Sequence, residues 1–268
     1  MEANLKRRFF TALVIIPLLV LIIGWGRPWL FTTLILVVTA VALYEFFNMA
    51  LPGHRAGQLL GILFGVTVSL LLVIPEIAHR EAWLSTLLVL SFSSYLMASG
   101  KLYDNLIRLS WALIGGSYLG LLMPSWVFLF RLPNGRNWVL FVLAVIVAGD
   151  AAAYFVGRRF GGRKLAPEIS PAKTVAGAWG YTIGSVIVGT LAAPWFTVEY
   201  PRLEVIALTL ILAVLGQIGD LFESSLKRVF AVKDSSSLIP GHGGVLDRLD
   251  SLIFPAVFAN AYLRVFHP

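Results

Sequence analysis

LEVIALTLILAVLGQIGDLF, residues 203–222, is an apolar run that ends in charge. It leads into DLFESSLKRVFAVKDSSSLIPGHGGVLDRLD, residues 220–250. A helix needs about twenty apolar residues to cross a hydrocarbon core roughly 30 Å thick, and the first run meets that length. The second run behaves differently. It holds Asp220, Glu223, Asp234, Asp247 and Asp250, five of the chain's 14 acidic residues, with Lys227, Arg228, Lys233 and Arg248. A membrane-length run that hands over to concentrated charge places chemistry where the span ends.

Working outward, the whole chain is oily. It is 58% hydrophobic and 13% charged over 268 residues. A soluble domain carries about 25% charge, so a single soluble core is excluded. Nine apolar segments stand out, at about 9–25, 29–47, 58–75, 83–97, 110–130, 138–157, 177–195, 203–222 and 251–266. The reading is an all-α polytopic membrane protein of about nine transmembrane helices. Residues 1–137 form packing helices with possible dimer contacts. Residues 138–268 form the catalytic region, with loops at 158–176 and 223–250. The first segment follows Lys6, Arg7 and Arg8 without a small-x-small cleavage site, so it reads as an uncleaved span.

Lys and Arg set the orientation. With the N-terminus inside, 15 of the 21 fall on inner connections and six outside. Excess Lys and Arg marks the cytoplasmic side, so the N-terminus is read as cytoplasmic and the C-terminus as outer. The net charge of +7 is spread over several loops, which suits anionic lipid or phosphorylated substrates better than nucleic acid. Cysteine is absent, which removes disulfides and thiolate chemistry. Glycines at Gly61 and Gly65, and at Gly115, Gly116 and Gly120, have the spacing that lets membrane helices approach closely.

Five places could carry chemistry. Asp150 lies near the inner end of the sixth span, where a carboxylate is costly. It shares a helical face with Tyr154 and Arg158. It is an interfacial residue pairing with Arg158, or a contact to metal or substrate. The loop RRFGGRKLAPEISPAKT, 158–174, combines five basic residues with glycines and with Ser170, Lys173 and Thr174. It could wrap a polyphosphate or touch anionic lipid, and it is no Walker A loop. Asp220, Glu223, Ser224, Lys227 and Arg228 make one stripe on a helix. Beyond Lys233 and Asp234, Gly and Pro in 239–244 mark a loop in which Gly243 and Gly244 permit close approach to a ligand, and His242 is an acid, a phosphate donor or a bystander. Asp247 and Asp250 could sit at a helix N-terminus for its dipole, or join Asp220 in a hard-oxygen site suited to Mg²⁺. Carboxylates, Mg²⁺ and cations are what phosphoryl or nucleotidyl transfer needs.

The signature residues resemble a known family. Ser224, Lys227-Arg228, Lys233-Asp234 and then Pro240-Gly241-His242-Gly243-Gly244, Asp247-Arg248 and Asp250 match the pattern S-x-x-K-R-x4-K-D … P-x-H-G-G-x-x-D-R-x-D. That pattern belongs to the phosphatidate cytidylyltransferase (CDP-diacylglycerol synthase) family of bacterial type. Gly149-Asp150, Tyr154, Gly157, Phe160-Gly161, Ser170-Pro171, Lys173-Thr174 and Gly177 resemble it too. The family usually has Glu before the last of these, where this chain has Ala176.

The resemblance implies a polytopic helical homodimer in the bacterial cytoplasmic (inner) membrane. It implies Mg²⁺-dependent transfer from CTP to phosphatidate, giving CDP-diacylglycerol and pyrophosphate. Asp220 and Asp247 would hold the metal, with Asp250 and Asp150 as further ligands to it or to a second cation. Lys227, Arg228, Lys233 and Arg248 would bind triphosphate or lipid phosphate. Asp220, Asp247, Lys227 and Ser224 would form the catalytic set. Asp234, His242, Gly243, Gly244, Ser170, Lys173, Thr174 and Tyr154 would line the substrate site. One alternative is a CTP-dependent transferase using another lipid phosphate or polyprenol. Another is a transporter, which is disfavoured because mid-span charge is scarce, Glu45 being the main case.

Overall fold

The computed structural model describes residues 13, 17–196, 200–239, 241 and 243–267. Pro240, His242 and residues 9–12 and 14–16 of the 9–25 segment lie outside the described residues. The helices are α1 (17–25), α2 (Pro28–Ala50), α3 (Arg55–Val73), α4 (Arg80–Leu96), α5 (Leu102–Gly115), α6 (Pro124–Phe130), α7 (Gly135–Phe160), α8 (Val175–Ala192), α9 (Arg202–Val229), α10 (Leu246–Leu249) and α11 (Ile253–Phe266).

Among the described residues, six stretches of helix are long and apolar enough to cross a membrane: Pro28–Ala50, Arg55–Val73, Leu102–Phe130, Gly135–Phe160, Val175–Phe196 and Arg202–Val229. They match six of the nine expected segments, and the chain is a polytopic, helical membrane protein. The other three expected spans coincide with shorter helix among the described residues: α1, the 17-residue α4 and the 14-residue α11. Three of the four serines of α4, Ser85, Ser91 and Ser94, satisfy their hydroxyls locally. Ser85 donates to the Glu81 carbonyl and Ser91 to that of Leu87.

Small residues decide how closely the helices pack. On α2 and α3, a Cβ at Gly61 would come within 2.4 Å of the Phe47 ring, and one at Gly65 within 2.7 Å of Leu43. A π-helical stretch, Gly116–Leu121, joins α5 to α6. There a Cβ at Gly120 would lie 2.6 Å from the Gly65 carbonyl oxygen, and Ser69 Oγ donates to the Gly120 carbonyl. On α7 and α8, a Cβ at Gly184 would sit 2.4 Å from the Ala152 Cβ, and one at Gly180 2.6 Å from Val156. These are small-residue seams of the kind that lets membrane helices touch without a solvent-driven hydrophobic effect. One buried apolar cluster takes residues from both halves, from Ala42 and Phe46 to Val142, Leu212 and Leu263.

The expected 158–176 loop has structure of its own. Helix α7 runs on to Phe160, Gly161 and Gly162 turn the chain with positive φ, and strands β1 (Lys164–Ala166) and β2 (Ser170–Thr174) form a small antiparallel hairpin. Thr174 then caps α8 by accepting from the Gly177 N–H at 3.0 Å. At the other end of the bundle, Arg136 ties α7 to the end of α1 by donating to the carbonyls of Gly24 and Gly26.

Candidate active site

A cavity of ≈ 390 Å³ opens between α7, α8, α9 and the hairpin. Asp150, Tyr154 and Arg158 line it from α7, Lys173 and Thr174 from the hairpin, and Asp220 from α9. Residues seventy positions apart therefore face one space. Lys173 Nζ lies 2.6 Å from Asp220 Oδ1, and both side chains are about a quarter exposed. Arg158 donates to the Tyr154 hydroxyl at 3.0 Å, and the hydroxyl of Ser251 donates to Asp150 at 3.3 Å.

Asp250 sits just behind this space and accepts from the Ser251 N–H at 2.8 Å. Burial, and then the negative charge of Asp220 and Glu223, push its carboxyl well above the ordinary range. Asp150, Asp220 and Asp250 thus act on one another as like charges, which raises the demand for a cation between them.

A second group lies along the buried face of α9. Lys227 Nζ is 2.7 Å from Glu223 Oε2 and 2.7 Å from Asp247 Oδ1. Asp247 also accepts from the Ser235 N–H and hydroxyl and from the Gly244 N–H at 2.8 Å. Burial raises the Asp247 carboxyl, but Lys227 and these N–H groups outweigh it and hold Asp247 below its ordinary value. Gly243 has φ +81°, and a Cβ there would meet Asp247 at 2.7 Å, so glycine is needed for both reasons. The stripe expected on α9 is present, and Glu223, Ser224 and Lys227 are buried. Lys227 therefore faces carboxylates and is nearly enclosed.

The remaining expected residues are more dispersed. Arg228 is exposed and donates to the carbonyls of Ile169 and Val232, fastening α9 to the hairpin. Lys233 and Asp234 are exposed on the loop, and Ser170 is half-buried in β2. Arg248 borders an apolar groove of ≈ 490 Å³ whose walls include Ile22, Phe31, Ile35, Trp126 and Leu143. It also acts electrostatically on Asp150, so it stands between groove and cleft.

In the sequence Glu45 stood out only as a rare mid-span charge, with no role in the site. On α2, it is wholly buried and accepts from Ser235, Ser236 and the N–H groups of Val245 and Leu246. The available signal was a carboxylate in an apolar span.

The donor set fits Mg²⁺. Its oxygens are hard carboxylates, and the hydroxyls of Tyr118 and Tyr181 and Oε1 of Glu223 are buried without a hydrogen-bond partner. No three carboxylates or histidines converge as metal ligands among the described residues. The protein would supply one or two carboxylates and the substrate phosphates the rest, a common arrangement for Mg²⁺.

Apolar spans around a cleft of carboxylates and cations define a membrane protein with an embedded polar site. The chain belongs to the cytidylyltransferase family, whose sequence profile it matches over residues 6–266. It is 33% identical to a phosphatidate cytidylyltransferase of Bacillus subtilis, over 98% of this chain and 99% of that one. It is 34% identical to that of Brucella suis (98% and 95%) and 33% identical to that of Staphylococcus saprophyticus (97% and 99%).

Proposed function

We propose that the chain is a phosphatidate cytidylyltransferase. A phosphate oxygen of phosphatidate attacks the α-phosphorus of CTP, the bond from that phosphorus to the β-bridging oxygen breaks, and pyrophosphate leaves. A phosphate monoester has its second pKa near 6, so the nucleophile is already ionised at neutral pH and no strong base is required. Positioning and charge neutralisation then carry the rate. The observation that supports this best is that Asp150, Tyr154, Lys173 and Thr174 of the first signature stretch meet Asp220, which opens the second, in one cleft inside apolar helices.

Asp150, Asp220 and Asp250 are our candidates to hold Mg²⁺, which would neutralise phosphate charge. Asp247 could join them, or a second cation, only by giving up hydrogen bonds from Ser235 or Gly244. Lys173 and Arg158 face the cleft and would receive the triphosphate. Thr174 and Tyr154 shape its wall. Arg248 would take the lipid phosphate, with an acyl chain in the groove beside it. Lys227 acts by fixing Asp247, and Ser224 and Gly243 keep that packing tight. Arg228, Lys233, Asp234 and Ser170 make up the outer rim.

The reading extends to nine spans with the N-terminus inside, a bacterial inner membrane and a homodimer. Incubating the purified protein with CTP labelled at the α-phosphate and a panel of lipid phosphates tests it. Label should enter phosphatidate in preference to a polyprenyl phosphate. Transfer to the polyprenyl phosphate alone would contradict the proposal.

A further inference from the structure

We propose that Glu45, on α2, is a positioning residue for the reaction, setting the 235–247 loop and through it Asp247 and Lys227. This deepens the reading given above and rests on it. Glu45 has no solvent exposure and sits in an apolar span, where a carboxylate is costly. Its two oxygens are fully used. Oε1 accepts from Ser236 Oγ at 2.6 Å and from the Val245 N–H at 3.0 Å. Oε2 accepts from Ser235 Oγ at 3.1 Å and from the Leu246 N–H at 2.8 Å. All four donors lie in the signature loop, about 190–201 residues away in the chain.

The arrangement reaches the site through one hydroxyl. Ser235 Oγ lies 3.1 Å from Glu45 Oε2 and 3.0 Å from Asp247 Oδ2. Its single proton is shared between the two carboxylates. Asp247 in turn holds Lys227 at 2.7 Å. Gly244 seals the contact. A Cβ there would fall 1.9 Å from Ser235 Oγ and within 2.7 Å of both Glu45 oxygens, so no other residue lets the loop close on α2. A loop rich in Gly and Ser has little regular structure to satisfy its N–H groups, and a buried carboxylate supplies charge-assisted acceptors at fixed positions.

Glu45→Gln separates positioning from general stability. The amide keeps one acceptor and turns an N–H group toward the donors on the other side. In the full-length protein in detergent, kcat should fall about tenfold or more while the KM for CTP and for phosphatidate each stay within about threefold. Hydrogen exchange should quicken at 235–247 and stay unchanged in α3 and α8. Wild-type kcat in the variant would overturn the proposal. So would exchange that quickens equally in every helix, since that marks a purely structural role. If Glu45→Gln does not fold, Ser236→Ala removes one of the four donors to Glu45, together with the acceptor of the Leu238 N–H. It should lower kcat about two- to fivefold with faster loop exchange, and an unchanged kcat would overturn the proposal. Were the wild-type protein itself inactive with phosphatidate, the function would be wrong, and the exchange comparison alone would decide the positioning role.

Discussion

Lys227 Nζ and Asp247 Oδ1 lie 2.7 Å apart, with side chains 11% and 7% exposed, joining α9 to the short helix α10. Glu223 completes the group from the same helix. Replacing Lys227 by Met leaves two enclosed carboxylates facing each other without their cation. Breaking a buried pair in this way costs about 3–5 kcal/mol. Lys227→Met should therefore unfold at markedly lower temperature as well as lose activity, measured by thermal melting in detergent beside a turnover assay.

Asp220 should behave differently. Its ion pair with Lys173 is partly exposed, and such pairs contribute about 0–1 kcal/mol. Asp220→Asn should melt within a few degrees of wild type but lose turnover by about a hundredfold or more, even with saturating Mg²⁺. Near-normal turnover would remove Asp220 from the metal set.

The α7–α8 seam sets the width of the cleft. A side chain at position 184 would collide with Ala152 on the facing helix. Gly184→Val should destabilise the protein by about 1–3 kcal/mol, as overpacking does. Because both helices line the cleft, the KM for CTP should rise as well. A melting curve and a CTP titration check the two effects separately.

Asp247 also gives a pH dependence. Its folded carboxyl titrates below its ordinary value of 3.8, so the native state binds that proton less readily than the unfolded chain. The stabilisation is complete above the ordinary value and fades as pH falls through the folded one. Stability measured downward from pH 5 should show an acid limb that Asp247→Asn diminishes.

The chain has no cysteine, which makes single-cysteine labelling clean. A cysteine at Gly162, beside the hairpin, should react with an impermeant reagent only after the membrane is opened. One at Asn134, before α7, should react in intact cells. The reverse pattern would invert the proposed orientation.

Six of the nine expected spans were legible because a twenty-residue apolar run has few alternatives, and Asp220–Asp250 was legible because charge is scarce elsewhere. The hairpin at 164–174 was not. Its sequence is interrupted by Pro167 and Pro171 and lacks a strand-like apolar alternation. Lys227 could be placed on a helical face with Asp220, but whether it meets a phosphate or a carboxylate depends on where Asp247 returns in space. Glu45 illustrates the same limit most clearly. Its cost in an apolar span was visible, while its partners lie nearly two hundred residues away and are mostly serine hydroxyls and backbone N–H groups, which carry no sequence pattern of their own.

Pyrophosphate release by the purified protein tests the central claim most directly. With CTP and Mg²⁺, release should depend on phosphatidate and match the formation of CDP-diacylglycerol one for one. Release from CTP at the same rate without phosphatidate, or none with it, would contradict the assignment.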